Sequence, residues 1–286
     1  MFDLVLVGGS LSNALLAWRL VQTRPDVSFV LLQNRSTPSG TQTIWFRGTD
    51  VTKAQLEWLW VLCAKSFPSH DMERAGAEPR RIGGAFHAID LADLHDKVAE
   101  LLGDRLRSNC DVREVHDTRV TLATGETIDA RAVIDGRDVE GTPPWAHTFH
   151  ELFHVEVQRG LEVPVMGLRQ STPRALPTGH EVPTFTRPII GERVGLFHHT
   201  TGEALPMAVD LAEVIPTLPL DAASLTQWLK THVQRHWDSQ KFFRRLNARV
   251  RRDALFEKVH SHDDELIARF YAGTLSWAQE LRLRFL

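Results

Sequence analysis

The chain has 286 residues, 43% hydrophobic and 24% charged, enough to bury a sizeable core as one large domain or two closely associated ones. Its formal net charge of −3 offers no basic surface for nucleic acid. Two cysteines, Cys63 and Cys110, cannot build a disulfide framework and lack metal-ligand spacing, which suits a reducing cytoplasm.

The first residues run straight into an apolar stretch without a basic region or cleavage site, so no signal peptide is expected. Charged residues interrupt every apolar run before the roughly 18 residues that a spanning helix needs. Residues 4–7, Leu-Val-Leu-Val, form a short apolar strand that stops at Gly8-Gly9. Leu11, Ala14, Leu15, Trp18 and Leu20 then recur at helical spacing, and Pro25 ends that element. A second apolar strand covers 27–32. Strand, glycine turn, helix and strand is the opening unit of a doubly wound parallel sheet.

Further on, 36–40 is turn-rich, 51–67 is expected as a helix bearing Trp58 and Trp60, and 68–79 as polar loop. A strand at 85–89 precedes an amphipathic helix at 91–102, which Gly103 stops. Segments 112–115, 119–122 and 127–128 alternate around polar turns and predict a small antiparallel meander. Residues 130–135 form another apolar strand ending at Gly136, and 155–165 suggests one or two more. A strand at 194–197, a loop at 198–202 and a helix from 205 to 215 follow, and 221–286 is helical throughout. No internal repeat or low-complexity tract is present.

Four motifs carry chemistry. Gly8-Gly9-Ser10-Leu11-Ser12-Asn13 stands where a dinucleotide fingerprint G-x-G-x-x-G would present main-chain amides and a helix N-terminus to a diphosphate. Only its first glycine is in place, with Ser10 at the second and Asn13 at the third. The acidic partner expected at the end of the second strand is replaced by Gln33-Asn34, and an amide can still hydrogen-bond a ribose hydroxyl. His150-Glu151-Leu152-Phe153-His154 matches H-E-x-x-H, which on a helix would hold zinc. The alternation through Val155-Glu156-Val157 favours a strand instead, and no metal is expected. His198-His199-Thr200-Thr201-Gly202 lies before a helix N-terminus, a phosphate-friendly context, although paired loop histidines are more often structural. The basic stretch 241–252 interleaves Phe242, Phe243, Leu246 and Val250, giving an amphipathic helix whose basic face is solvated or touches anionic lipid.

Several strings together resemble the bacterial lycopene β-cyclases. These are Asp3 to Gly8, Ala17-Trp18-Arg19-Leu20, Ala130 to Arg137, Gly195 to Val209, Phe242 to Asn247 and Leu266 to Gly273. The resemblance runs over most of the chain. It implies an α/β fold: an FAD/NAD(P)-binding Rossmann-like parallel sheet, a reduced antiparallel substrate sheet and C-terminal helices. On that basis 1–286 forms a single flavoprotein-like unit. Its FAD-binding core comes from 1–35, 80–136 and 190–218, its substrate sheet from about 80–90 and 148–190, and its helical region from 221–286. The resemblance also implies redox-neutral, acid–base cyclisation of lycopene or a related linear carotenoid, with bound reduced FAD and NAD(P)H as its reductant. The implied cofactor contacts are Gly8, Gly9, Ser10, Asn13, Asn34, Gly195, Thr201 and Gly202. The implied place is the cytoplasm, peripheral on the inner membrane face.

The chain departs from the family at Ser10 and Asn34, and its helical tail stops early, at Leu286. Between Met166 and Ala175 it skips several dozen residues, including the strand that bears the family's catalytic glutamate. Gly160 to Pro164 and Arg174 to Pro177 resemble the two sides of that gap, and neither Glu162 nor Glu181 takes the glutamate's place. The catalytic residue is therefore unassigned. A non-catalytic flavin-binding remnant or scaffold, and a flavin-dependent oxidoreductase, stay open beside the cyclase.

Overall fold

A computed structural model describes residues 1–34, 43–74, 77–139, 148–157, 165–249 and 252–284. The turn-rich segment 36–40 and the string 160–164 lie outside the described residues.

The chain begins with β1 (Phe2–Val7), α1 (Leu11–Thr23) and β2 (Phe29–Leu32). β1 pairs in parallel with β2 on one side and with β9 (Thr127–Asp135) on the other. The short β6 (Leu106–Arg107) extends the sheet beyond β2, while β8 (Arg119–Leu122) and β7 (Val112–Val115) join antiparallel beyond β9, giving the order β6-β2-β1-β9-β8-β7. Period-two alternation explains the continuous apolar run of β1. Leu4 and Leu6 enter one core cluster with α1, and Val5 and Val7 enter another with Val120 and Leu122. The segments read separately as 127–128 and 130–135 are one strand, whose first half belongs to the meander and whose second half belongs to the parallel sheet.

A second sheet has the order β10-β11-β4-β5-β3, built from β3 (Thr43–Arg47), β4 (Lys65–Arg74), β5 (Ala77–Asp90), β10 (Thr148–Val157) and β11 (Val165–Leu176). It corrects two expectations. The helix expected over 51–67 is α2 (Lys53–Leu59) with a 3-10 turn at Trp60–Leu62. A capping box between Thr52 and Gln55 starts it, and strand pairing of Lys65 with Ala88 ends it. The polar loop expected over 68–79 is mostly a long hairpin, because His70 and Met72 alternate inward and are buried. The strand expected at 194–197 is also absent. Gly191–Val194 forms a 3-10 turn, closed by Gly195 at φ +70° against the Trp237 ring.

α3 (Leu91–Leu102), capped by Asp90 and stopped by Gly103 as expected, packs against α1. The later helices are α4 (Leu205–Val214), α5 (Ala222–Ser239), α6 (Lys241–Arg249), α7 (Arg252–His260), α8 (Asp264–Tyr271) and α9 (Trp277–Arg284). α1 packs against α4, which joins the largest core cluster. Phe242, Phe243, Leu246 and Phe270 close over Met72, Ile82 and Phe86 of the second sheet. No helix among the described residues is long and apolar enough to cross a membrane.

Candidate functional site at the carboxyl edge of the parallel sheet

The ends of β1, β2 and β9 lie side by side. Gly8 N–H donates to Leu32 O at 2.8 Å and Gly136 N–H donates to Val7 O at 2.9 Å. Gly8, Asn34 and Arg137 therefore share one edge, the carboxyl edge at which open α/β sheets take their ligands. Gly8 has φ +99°, and a Cβ there would lie 2.6 Å from Arg137 Cα, so this position requires glycine. A Cβ on Gly9 would lie 2.8 Å from Gln33 Oε1. Asn34 is exposed at the end of β2. Gln33 points back and donates to Ser108 Oγ at 3.2 Å, so it supports the Gly9 turn from beneath.

Ser10 is the N-cap of α1, its side chain accepting from Asn13 N at 3.5 Å. Asn13 does the work of the missing third glycine in another way. Its Nδ2 donates to Val7 O at 2.9 Å and to Gly8 O at 2.8 Å, and its side chain fills the space against Gly136. These bonds occupy the carbonyls of the turn and leave its donors open. Among the described residues no acceptor takes the N–H of Gly9, Ser10, Leu11 or Ser12. Four outward amides at a helix N-terminus form an anion cradle.

Beside this turn lies a cluster that the sequence motifs did not single out. Asp135, at the end of β9, is fully buried and pairs with Arg137 at 2.8 Å, Arg193 at 2.9 Å and Arg187 at 3.3 Å. Burial works against its ionisation. The hydrogen bonds and charge of Arg137, with the charge of Arg193, outweigh burial and hold the carboxyl below its usual value. Three guanidiniums thus converge on one buried carboxylate. The segment that brings Arg187 and Arg193 is fixed by a parallel bridge between Asp135 and Ile189 and by Gly191, where a Cβ would lie 3.3 Å from Ser12 Oγ. A groove of about 660 Å³ runs from Arg187 along Phe185 and Ile189 to Lys230 and Gln234. The signal in the sequence was Asp-Gly-Arg directly after an apolar strand, with two more arginines before the second glycine-bearing turn.

That second turn is a buried histidine knot. His198 Nε2 donates to Phe270 O at 2.9 Å, and its Nδ1 accepts from the N–H groups of Thr200 and Thr201. His199 Nε2 donates to Gly195 O at 3.0 Å, and its Nδ1 accepts from Arg244 at 3.2 Å. His236 Nε2 donates to Phe197 O. The Nδ1 acceptor roles need neutral rings at His198 and His199, and burial pushes His199 well below its ordinary pKa and His236 down to about 4. Gly202 N–H donates to His198 O at 2.7 Å, so the amides of Thr201 and Gly202 are engaged within the loop. Gly195, Thr201 and Gly202 thus shape the approach to α4, while Gly8, Gly9, Ser10, Asn13 and Asn34 gather at the sheet edge. The H-E-x-x-H residues lie on β10, where His150 pairs with Arg174 and His154 with Arg169 in β11. A strand does not set the two histidines one helical turn apart. No cluster of three metal-ligating side chains occurs among the described residues.

The family model described as lycopene cyclase protein matches residues 3–186 and 165–286. The lycopene beta-cyclase of Pseudescherichia vulneris is 29% identical over 361 aligned positions, which cover 99% of this chain and 93% of that protein. Those of Pantoea ananas and of a Paracoccus strain are 26% and 25% identical, with coverage of 99% and 98% of this chain and 94% and 92% of theirs. An alignment of 361 positions against 286 residues means that the relative carries a block this chain lacks. The two matched pieces meet at 165–186, so the break falls there. Among solved structures, p-nitrophenol 4-monooxygenase from Pseudomonas putida is 16% identical with a TM-score of 0.40, covering 54% of this chain and 46% of that one. For 2,6-dihydroxypyridine-3-hydroxylase from Arthrobacter nicotinovorans the values are 16%, 0.39, 56% and 44%. These last likenesses are too distant to decide anything about this chain.

Proposed function

The chain belongs to the lycopene cyclase family, and from that premise we propose that it is a carotenoid cyclase holding FAD at the carboxyl edge of its parallel sheet. The observation that supports the cofactor is the nearness of four open amides at the β1–α1 turn to the guanidiniums that gather at Asp135. A dinucleotide's diphosphate needs hydrogen-bond donors and a backbone it can approach closely, and the glycine turn at a helix N-terminus supplies both. Gly8, Gly9 and Ser10 form the cradle, Asn13 holds it open, and Asn34 stands where a ribose hydroxyl would lie. Gly195, Thr201 and Gly202 set the course of the loop into α4.

Bound at the edge that Gly8, Gly9 and Ser10 form, and reduced by NAD(P)H, the flavin would supply negative charge that favours the cationic ring closure. The substrate is lycopene or a related linear carotenoid. Ring closure needs a proton placed on the terminal alkene, an apolar wall that excludes water, and a base that removes a proton afterwards. No electrons are gained or lost. A hydrocarbon of this kind resides in lipid, so we place the protein peripherally on the cytoplasmic membrane face. α6 exposes Lys241 and Arg245 there but buries Arg244 against the histidine knot.

Expression in a lycopene-accumulating bacterium tests the reading. Rings at one or both ends of the pigment support it. Unchanged lycopene beside a flavin-loaded protein supports a non-catalytic binding role, and oxygen-dependent consumption of reduced nicotinamide supports an oxidoreductase.

A further inference from the structure

The groove beside the arginine cluster holds about 660 Å³, within the usual range of small-molecule clefts. Val182, Pro183 and Ile189, all half-buried, give it an apolar lining. Lys230 of α5, Arg187 and the exposed Thr186 supply polar groups. Arg187 gives its Nη2 to Asp135 at 3.3 Å, while its Nε is buried and has no acceptor among the described residues. Lys230 is exposed, and among the described residues no ion pair or hydrogen bond engages its ammonium. The groove therefore presents one uncommitted cation and one unsatisfied guanidinium donor beside apolar surface.

The groove adjoins the cofactor edge. Ile189 bridges in parallel to Asp135, and two residues on, Gly191 lies against Ser12 in the first turn of α1. Asp135 joins the two places, since it holds Arg137, whose backbone abuts Gly8, and Arg187, which lines the groove. The lining selects the chemistry of an occupant. A hydrocarbon would leave the ammonium and the guanidinium N–H facing apolar surface, which is costly. An inorganic anion would leave Val182, Pro183 and Ile189 without an apolar partner. An organic phosphate with a flat ring system meets both demands, and that is the make-up of a nucleotide.

We propose that this groove docks the nicotinamide dinucleotide that reduces the flavin, with Lys230 as the cation that takes one of its phosphates. The inference rests on the cyclase reading above and gives the reductant of that reading a place on the chain. Val182, Pro183 and Ile189 cover the ligand's rings, and Arg187 adds a donor where the groove meets Asp135. In the step this docking serves, a C–H bond of the reduced nicotinamide breaks and its hydride passes to the flavin. The nucleotide leaves oxidised, and the flavin gains the same two electrons, so the exchange balances.

The test uses the full flavin-loaded chain and compares wild type with Lys230→Ala, Lys230→Arg, Thr186→Trp and, as control, Lys53→Ala on the exposed start of α2. Calorimetric titration with NADP+ reads binding alone. Anaerobic loss of the flavin's visible absorption against NADPH concentration reads docking that leads to reduction. Lys230→Ala is expected to weaken both at least about tenfold, the reach of one charge-assisted bond. Lys230→Arg keeps part of the affinity, Thr186→Trp fills the groove and abolishes saturation, and Lys53→Ala matches wild type. Flavin content, melting temperature and ring formation with dithionite as the reductant stay at wild-type levels in every variant. Unchanged NADPH dependence in Lys230→Ala and Thr186→Trp overturns the proposal. So does a Lys230→Ala that keeps its NADP+ affinity but loses binding to phosphatidylglycerol vesicles, which would make the ligand a lipid headgroup. Rings formed with dithionite by a wild type that binds no NADP+ overturn this inference alone. Lycopene left unchanged by the dithionite-reduced wild type overturns the cyclase reading, while the NADP+ titration still decides the groove.

Discussion

Replacing Asp135 with Asn isolates the charge at the centre of the arginine cluster. The two side chains have nearly the same shape. The main-chain bonds from Asp135 N to Pro188 O and from Ile190 N to Asp135 O survive the change, so the substitution removes only the negative charge. Three guanidiniums, previously within 2.8–3.3 Å of a carboxylate, then face one another and a neutral amide. Breaking a fully buried pair costs about 3–5 kcal/mol. The three arginine side chains are 30–34% exposed, so water screens part of that loss, and about 2–4 kcal/mol is the expected cost. For a chain of this size that lowers the melting temperature by roughly 4–8 °C. Urea unfolding of the apo-protein reads it as a lower midpoint at unchanged slope. Added inorganic pyrophosphate should restore part of the loss, because an anion bound to the folded state replaces the missing charge. A change below about 0.5 kcal/mol, the range of ordinary surface substitutions, would refute the idea that these groups act as one cluster.

Gly8→Ala places a Cβ 2.6 Å from Arg137 Cα at φ +99°. It should cost about 2 kcal/mol or more, and by displacing Arg137 it should weaken FAD binding at least about tenfold in a fluorescence titration. Asn13→Ala removes the bonds to Val7 O and Gly8 O, and a loss of about 1–3 kcal/mol is expected by urea unfolding. Acid should destabilise the fold well before carboxylates protonate. His70 and His236 have folded values of about 4, below their ordinary 6.5. The unfolded chain therefore binds more protons between those values, and stability is lost as pH falls from 6.5 towards 4. At pH 5 each contributes a loss of about 2 kcal/mol. The depressed Asp135 adds a further loss only below the usual carboxylate range. A urea midpoint that stays level from pH 7 to 5 would contradict the neutral, buried state of these histidines.

The elements that local signals specify were legible in the sequence. α3 runs from its Asp90 cap to Gly103, and β7 and β8 keep the expected limits, because caps, turns and alternation all sit within a few residues. The hairpin of β4 and β5 was hidden. Its inward positions include His70, which periodicity counts as polar, and Pro68 and Pro79 interrupt the pattern. The apolar run ending in Leu196-Phe197 has the pattern of a strand, but its burial comes from packing near Trp237, and among the described residues no strand pairs with it. At the site, the Gly8 turn was visible as a glycine pair between strand and helix. The arginines were not, because Arg187 and Arg193 reach Asp135 across some 50 residues of chain through the Ile189 bridge. Asn13 looked like a defect in the fingerprint, yet it braces the turn by hydrogen bonds that spacing alone cannot reveal.

Calorimetric titration of the flavin-free protein with FAD, repeated at low and high salt, addresses the cofactor edge itself. One FAD should bind per chain, more weakly as salt rises, and Arg137→Ala with Arg193→Ala should abolish the heat. A wild-type protein that yields neither heat nor a shifted flavin spectrum with FAD in large excess would contradict the proposed use of the Gly8 turn and its arginines.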